Sequence, residues 1–474
     1  MKEQYKRLGK NTLIVFIGNF GTKLISFFLL PLYTRWLTVE DYGTADLISS
    51  YAALLLVLVS GCIMDAVFVF PKGESHETQG KYFSTSFGFS AITITLSGIA
   101  LYGFQLIGGE SIFRTYTIAI WAIMSTSIIQ SLTQQFARSI DKMKVFGATG
   151  IVQTLSLFAF SAALIPAHGV KGYIISIAIA NLATALFTLI FSGGWRYLSF
   201  RLLSRDHLRK MLTYSIPLIP ANIMFWLIGT INRPIMESHC GLHIIGLYAI
   251  AMKIVSVVGI LSSIILSSWQ ISVLEEFGKK TYSDFYNKVI KLFTQLMVIA
   301  FFAISVMSPL ILKIVTTEEY FGANRYIPML MLGTIVATFA NLVAANFSAV
   351  KKSKYIFHSS MCAAATAIIL NVLLIPTIGI WGALLAYVLS FSVMALTRVV
   401  YSWKLVKLDN IYQYVLLGTA CTVYCVLAFL FEDGIIPAVF GIVMCIILGY
   451  FTIKPLIKYI ERVKSRFIGR KYQQ

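Results

Sequence analysis

The sequence predicts an all-α polytopic membrane protein, and three observations carry that prediction. Of its 474 residues 58% are hydrophobic and only 12% are charged, with a mean hydropathy of +0.79. The apolar residues come in runs of about 20 or more, the length that an α-helix needs to cross a hydrocarbon core of about 30 Å. Basic residues cluster between alternate runs, so the net charge of +19 indicates membrane topology, and no nucleic-acid partner is expected.

The apolar runs and the breaks between them predict fourteen transmembrane helices. The first run follows the segment MKEQYKRLGK and is too long for a signal peptide, so we expect it to be retained as a span. The predicted spans are residues 11–37, 42–70, 82–108, 112–137, 145–166, 170–194, 208–236, 242–270, 286–312, 326–350, 355–376, 379–403, 411–431 and 435–457.

The distribution of Lys and Arg predicts that both termini are cytoplasmic. Of the 39 basic residues, 31 fall in the N-terminal segment, at the even-numbered connections or in the C-terminal tail. Only six fall at the odd-numbered connections, and the remaining two, Lys23 and Lys253, lie inside spans. Because the cytoplasmic side carries the excess of positive charge, the 31 basic residues mark the inner side.

An internal repeat relates spans one to six to spans seven to twelve. Residues 164–172 (LIPAHGVKG) and 374–382 (LIPTIGIWG) match at five of nine positions, and each segment lies between two spans. Arg35 matches Arg233, and Gly43 matches Gly246. Six spans per half give both halves the same orientation, so we expect a pseudo-two-fold axis along the membrane normal and a pathway between the halves. The predicted domains are a six-helix bundle (1–194), a cytoplasmic linker (195–207), a second six-helix bundle (208–403), two extra helices (411–457) and a basic cytoplasmic tail (458–474).

Two lysines lie near the middle of predicted spans. A Lys at the centre of a membrane helix costs roughly 2.5 to 3.5 kcal/mol or more, so Lys23 and Lys253 should face protein or a wet cavity. Asn19 lies one turn before Lys23 on the same helix face. The alternative for Lys23 is a structural role, paired with a backbone carbonyl or a neighbouring helix.

Two arginines, Arg35 and Arg233, lie at the outer ends of matching spans. Snorkelling explains each of them alone, but it does not explain Lys23 and Lys253. Four cations with few acids at the same depth predict a cavity that attracts an anionic head group such as phosphate or pyrophosphate.

Span seven carries a second signal of a transport path. Pro217 and Pro220 interrupt its helical hydrogen bonds and free carbonyl groups near Asn222, at mid-depth. Asp65, near the inner end of span two, is a candidate for pairing with a lysine or for ion coupling, and an ordinary interfacial position is the alternative. The predicted cavity residues are therefore Lys23, Arg35, Arg233, Lys253, Asn19 and Asn222.

No motif predicts catalysis or a cofactor. The chain lacks a phosphate-binding GxxxxGK[ST] loop, and its six cysteines are scattered. His239, Cys240 and His243 have a helical ligand spacing but no carboxylate motif beside them, so zinc is not expected. Glu40 and Asp41 are similar to the acidic pair of membrane glycosyltransferases, but the short external loops favour a role in ending a helix hairpin. We expect neither an enzyme nor a metal site.

Taken together, Asn19, the run LPLYTRWL with Arg35, EDYG with Gly43, SIPLIPAN, GLY followed by Lys253, and the paired LIPxxGxxG turns resemble a known family. It is the polysaccharide flippases, the O-antigen and capsule repeat-unit flippases called Wzx, of the multidrug/oligosaccharidyl-lipid/polysaccharide (MOP) exporter superfamily. The resemblance covers essentially the whole chain. It implies two six-helix bundles around a central cavity, alternating access, and a MATE-like fold.

The resemblance also implies a substrate and a location. A flippase of this kind moves undecaprenyl-pyrophosphate-linked oligosaccharide from the cytoplasmic to the periplasmic leaflet of the bacterial inner membrane, for surface polysaccharide such as the O-antigen of lipopolysaccharide. Its partners would be the lipid-linked glycan, membrane lipids, and the polymerase and glycosyltransferases of the pathway. The alternatives are a MATE-type drug/cation antiporter, a lipid II flippase, and, from another class, a lipid-linked-sugar transferase.

Overall fold

The computed structural model describes residues 29–106, 111–350, 352–431 and 434–452. Within those ranges the chain is helical, with no strand, which confirms the predicted fold class. Lys23 and Asn19 lie outside the described residues, as does most of predicted span one.

The helices are separated by short turns and by three stretches of 3-10 helix. Those stretches are Gly194–Tyr197 with Phe200–Leu202, Ile216–Leu218, and Glu318–Tyr326. The α-helices are α1 (Leu30–Trp36), α2 (Val39–Ser60), α3 (Ile63–Val69), α4 (His76–Leu106), α5 (Ile112–Thr115), α6 (Thr117–Ser139), α7 (Met143–Ser192), α8 (Arg205–Ser215), α9 (Ile219–Thr230), α10 (Asn232–His239), α11 (Gly241–Glu276), α12 (Tyr282–Val315), α13 (Ile327–Ala349), α14 (Ser353–Ile378), α15 (Ile380–Ser402), α16 (Ile411–Leu430) and α17 (Ile435–Thr452).

In the described part of the chain, eleven helical segments are long and apolar enough to cross a membrane. One of them, α7, has 50 residues, and at about 1.5 Å per residue it is long enough to cross twice. It contains both predicted spans 145–166 and 170–194. Helix α6 matches predicted span 112–137, but its Thr, Ser and Gln side chains make it less apolar than the eleven. The total of fourteen stays a prediction, because span one is largely outside the described residues.

The internal repeat is visible in the backbone of the two LIPxxGxxG segments. Gly169 (φ 53°) and Gly379 (φ 58°) both adopt the left-handed region that glycine enters without steric cost. Three residues later, a Cβ atom on Gly172 or Gly382 would lie 2.3 or 2.5 Å from the carbonyl oxygen of Leu164 or Leu374, respectively. The repeated glycines therefore make the same turn and the same close helix contact in both segments.

The interruption of span seven and the start of α2 both follow from local residues. Helix α8 ends at Ser215, a 3-10 turn covers Ile216–Leu218, and α9 then begins with a proline in its first turn, so the predicted interruption of span seven is confirmed. At the start of α2, Thr38 Oγ1 accepts from the Asp41 backbone N–H (3.2 Å), and Asp41 accepts from that of Thr38 (3.3 Å). This capping box starts α2 directly after the connection from α1. Asp41 therefore has a structural role in the turn between two helices, as the sequence predicts.

The chain packs into two compact units. The first unit comprises Met1–Ile250, Val315–Tyr320 and Ile368–Ala383, and its core lies where α2, α3, α4 and α6 meet. The second comprises Ala251–Ile314, Phe321–Ala367 and Leu384–Gln474, with a core around Trp269, Tyr286 and Leu342. These units are groups that pack together and do not test the repeat boundaries 1–194 and 208–403, which stay a prediction.

Candidate functional site

Helix α2, within the first unit, contacts successive segments of span seven and the start of α11. The Trp226 indole N–H donates to the Ser50 carbonyl oxygen (3.0 Å), and past the C-terminal end of α2 the Asn222 amide donates to Cys62 Sγ (3.3 Å). These contacts align α9 with α2 and α3. They bring the predicted cavity residue Asn222 beside span two, where its side chain is half-buried.

Arg233 on α10 forms a buried ion pair with Asp46 of α2. Its Nε atom lies 2.6 Å from Asp46 Oδ2, and the two side chains are 9% and 25% exposed. The guanidinium also donates to the Gly229 carbonyl oxygen (2.9 Å) and lies 5.2 Å from the centre of the Tyr248 ring. Charge, dipole and ring contacts together compensate for the loss of water around the arginine.

Glu237, one turn after Arg233, makes a second charged connection from α10. Its carboxylate accepts from the Tyr51 hydroxyl of α2 (2.7 Å) and from the backbone N–H of Ile112 at the start of α5 (2.8 Å). Charge-assisted hydrogen bonds of this kind are roughly twice as strong as neutral ones. Helix α10 is thus tied to α2 by two carboxylates, one on each helix.

A pair of glycines brings α2 and α11 into backbone contact. A Cβ atom on Gly43 would lie 2.2 Å from the Leu242 carbonyl oxygen, and one on Gly246 would lie 2.0 Å from that of Val39. Each glycine thus faces a carbonyl four residues before the other. These are the two glycines that the internal repeat matches, so the contact is itself approximately symmetric.

Helix α1 and the turn after it contact the segment that follows α12, also within the first unit. Thr317 Oγ1 donates to the Thr34 carbonyl oxygen (3.1 Å), and the Tyr320 hydroxyl lies 2.9 Å from the carbonyl oxygens of Leu37 and Thr38. All of these residues lie on the predicted outer side. With Asp46–Arg233 and Gly43–Gly246 they join the outer ends of spans from both predicted bundles.

Three other predicted site residues take part in none of the contacts described above. Arg35 is on α1 with an exposed side chain, and Asp65 is half-buried in the first turn of α3. Lys253 is half-buried on α11 and belongs to the second unit, whereas Arg233 belongs to the first. Of the predicted site residues, Arg233 and Asn222 therefore contact span two. A cavity shared by all of the predicted residues stays a prediction.

Sequence reasoning overlooked Asp46 and Glu237. It expected few acids beside the cations, but a carboxylate neutralises Arg233 directly. A signal for Asp46 was available, because a charge inside predicted span 42–70 is the same kind of anomaly that singled out Lys23 and Lys253. No comparable signal marks Glu237, which lies just beyond the end of predicted span 208–236.

The fold defines a multi-pass helical membrane protein. The chain belongs to the family described as polysaccharide biosynthesis protein, whose sequence profile matches residues 8–270, more than half of its length. A second profile, that of the MatE family, matches residues 217–373. The resemblance to the polysaccharide flippases of the MOP superfamily is thereby confirmed.

The chain is also similar to individual proteins and solved structures. Protein 1 of the Lsg locus of Haemophilus influenzae is 23% identical over 259 residues, which are 53% of this chain and 62% of that relative. Among solved structures, the lipid II flippase MurJ in an inward closed conformation has a TM-score of 0.67 at 15% identity, covering 94% of this chain and all of MurJ. A multidrug resistance MATE transporter in an inward-facing conformation has a TM-score of 0.58 at 15% identity, covering 84% and 96%. These structural likenesses concern the fold.

Proposed function

We propose that the protein is a flippase that moves undecaprenyl-pyrophosphate-linked oligosaccharide from the cytoplasmic to the periplasmic leaflet of a bacterial inner membrane, with both termini in the cytoplasm. The observation that carries the proposal is the polysaccharide biosynthesis profile across residues 8–270. The interrupted span seven and the membrane-buried charges support a transport path, because both are expensive in lipid.

The structure refines the expected role of the cations. Arg233 is committed to Asp46, so an anionic head group would have to compete with that carboxylate. Lys253, together with Lys23, Asn19, Asn222 and Arg35, remains a candidate for binding the pyrophosphate. Differential contact of these cations with a phosphate in one conformation would bias the alternating states.

The outer-side contacts of the first unit suggest where the path closes. Asp46–Arg233, the Glu237 hydrogen bonds and the Gly43–Gly246 contact join the outer ends of predicted spans two, four, seven and eight. Release of a glycan at the periplasmic side requires that such contacts separate. Ion pairs and hydrogen bonds suit this purpose, because water can solvate each charged or polar partner once the contact opens.

The direct test is transport of the lipid-linked glycan. Deletion of the gene should abolish one surface polysaccharide and leave unpolymerised lipid-linked repeat units on the cytoplasmic leaflet. Normal surface glycan in a strain without a redundant transporter would overturn the proposal. Accumulation of lipid-linked peptidoglycan precursor instead would identify a lipid II flippase, the function named for the MurJ neighbour.

The cation role has its own test at Lys23 and Lys253. Replacement by Gln should abolish glycan export per membrane-inserted protein, whereas Arg should retain more activity, because the positive charge binds the head group. Equal activity of Gln and Lys at both positions would contradict an anion-binding cavity. A purely structural lysine would lower protein level and export together.

A MATE-type antiporter is the second candidate, favoured by the MatE profile at residues 217–373. Expression in a drug-sensitive host distinguishes the two. Drug efflux without complementation of a glycan export defect would favour the antiporter, and complementation without efflux would favour the flippase.

A further inference from the structure

The segment between α7 and α9, residues 194–218, is a basic and aromatic platform built onto α4. The Ser84 hydroxyl donates to the Tyr197 carbonyl oxygen (2.7 Å) and accepts from the Ser199 backbone N–H (3.0 Å). The backbone N–H of Ser204 donates to Thr85 Oγ1 (3.0 Å). These bonds give the segment a defined position before α8 begins.

The outward surface of this platform combines apolar and basic side chains. Trp195 is 57% exposed, Phe200 94% and Leu203 50%. Residues 195–210 contain five cations and a single acid, Asp206; the cations are Arg196, Arg201, Arg205, Arg209 and Lys210. Exposed aromatic rings among cations are typical of segments that lie in the interface of an anionic membrane.

A groove of about 590 Å³ runs along the free face of α8 within this platform. Arg205 and Arg209 line its first part, and Leu212, Ile216 and Pro217 line the part closer to α9. The opposite face of α8 is packed, since Met211 and Ser215 are fully buried and the His207 ring lies 4.6 Å from that of Tyr82. The described part of the chain therefore leaves this side of α8 uncovered, with Leu212 at its edge also packing against the core of the first unit.

The arrangement of the groove matches an amphiphile. Residues 205, 209, 212 and 216 follow a helical spacing on one face, with the charges at one end and the apolar side chains at the other. From Arg205 to Ile216 the distance along a helix is about 16 Å, close to half of a hydrocarbon core of about 30 Å. A head group at Arg205 and Arg209 would place an acyl chain on Leu212, Ile216 and Pro217.

We propose that this groove binds an anionic phospholipid of the inner leaflet, with its phosphate at Arg205 and Arg209 and an acyl chain along Leu212 and Ile216. Charge complementarity selects this occupant, because two guanidinium groups face the site beside one carboxylate, that of Asp206, and bidentate contacts to phosphate suit arginine. The bound lipid would cover the apolar side chains next to the interruption of span seven. This inference is independent of the substrate that the protein moves.

The test measures stabilisation of the purified full-length protein by lipid. Phosphatidylglycerol or phosphatidylcholine is titrated into detergent micelles while the melting temperature is followed. Phosphatidylglycerol should raise the melting temperature more than phosphatidylcholine does. The Arg205→Gln/Arg209→Gln variant should need about tenfold more phosphatidylglycerol for the same rise.

The matched control removes two exposed cations from the same predicted side of the first unit, Lys142→Gln/Lys144→Gln, and should respond as the unmodified protein does. Ile216→Ser, at a 53% exposed position, should weaken the response without changing the net charge. Equal stabilisation by both lipids, or equal loss in the control, would overturn the proposal. So would stabilisation by undecaprenyl phosphate alone, since the groove would then bind an isoprenoid phosphate.

Discussion

Two buried arginines, one in each compact unit, are held in opposite ways. Arg233 is 8% exposed and pairs with the Asp46 carboxylate across two helices. Arg398 on α15 is 1% exposed and donates to three neutral acceptors, Asn341 Oδ1 (2.7 Å), Ser359 Oγ (3.1 Å) and Ser360 Oγ (3.4 Å). In the part of the chain that the structure describes, no carboxylate lies within ion-pair distance of Arg398.

The difference shows what each arrangement is suited to do. An ion pair between segments from the two predicted halves can separate when water solvates the carboxylate and water or a phosphate takes its place at the guanidinium. A guanidinium spread over three dipoles on α13 and α14 has no single partner to release, so it fixes three helices of one unit together. We therefore expect Arg398 to govern the stability of the second unit, and the Asp46–Arg233 pair to govern transport as well as stability.

The largest effect is expected at Arg398. Replacing it by Ala removes a large buried side chain and leaves the acceptors of Asn341, Ser359 and Ser360 without their donor, at a cost of about 4 kcal/mol. The melting temperature of the purified protein and its level in the membrane should both fall. Arg398→Lys should be intermediate, because an ammonium keeps the charge but not the planar fork. An Ala variant of normal stability would remove the contrast between the two arginines.

The next effect concerns the partner of Arg233. Asp46→Ala leaves the guanidinium largely buried without its carboxylate and should cost about 3 kcal/mol. The double variant Asp46→Asn/Arg233→Gln removes both charges, so it should recover most of the stability that Asp46→Ala loses. Strictly additive losses in Asp46→Asn, Arg233→Gln and the double variant would mean that the two residues are not coupled.

Glycan export by the Asp46→Asn/Arg233→Gln variant further separates the role of the Asp46–Arg233 pair from that of Arg398. If the pair closes the outer side, the double variant should be folded and yet altered in glycan export. A folded double variant with unchanged export would make the Asp46–Arg233 pair structural in the same sense as the Arg398 cluster.

The glycine contact tests what holds Asp46 next to Arg233. Gly43→Ala places a Cβ atom against the Leu242 carbonyl oxygen, so α2 and α11 must move apart, at a cost of about 2 kcal/mol. The control is Gly103→Ala on α4, where a Cβ atom meets nothing within 4 Å and alanine favours the helix. Equal melting temperatures for the two variants would show that α2 adjusts without strain.

The smallest effect is expected at an exposed pair in the same unit. Lys81 and Glu77 lie 2.7 Å apart, but their side chains are 35% and 70% exposed. Solvent screens such a pair, so Glu77→Gln should leave the melting temperature within experimental error of the unmodified protein. A loss comparable to that of Asp46→Ala would show that burial does not set the difference between ion pairs in this protein.

Much of the fold could be predicted because its signals are local. Helix α15 (Ile380–Ser402) nearly coincides with predicted span 379–403, since an apolar run between polar ends sets its own limits. Pro217 and Pro220 interrupt span seven whatever its tertiary contacts are, because a proline lacks the backbone N–H that the helix requires. The turns at Gly169 and Gly379 are likewise determined by nine-residue segments, 164–172 and 374–382.

The sites of charge could be predicted only in part. The tally of basic residues counts Arg398 with the cations of the predicted inner side, although the structure buries it among α13, α14 and α15. The acceptors of Arg398 lie 38 to 57 residues away in sequence. Asn and Ser side chains occur in many environments, so no sequence pattern predicts that they bind an arginine. Lys23 and Asn19 lie outside the described residues, so their role stays a prediction.

The sequence by itself determined the helical class, the limits of most of the described helices, the repeated glycine turns and the interruption of span seven, because hydropathy, proline and glycine act over a few residues. Only the tertiary structure decided which charges are neutralised. Asp46 and Arg233 are separated by 187 residues, and they meet because α2 packs against α10 and against α11 at Gly43 and Gly246. The energy of an ion pair depends on the distance between the charges and on their burial. For residues far apart in sequence, tertiary packing sets both quantities.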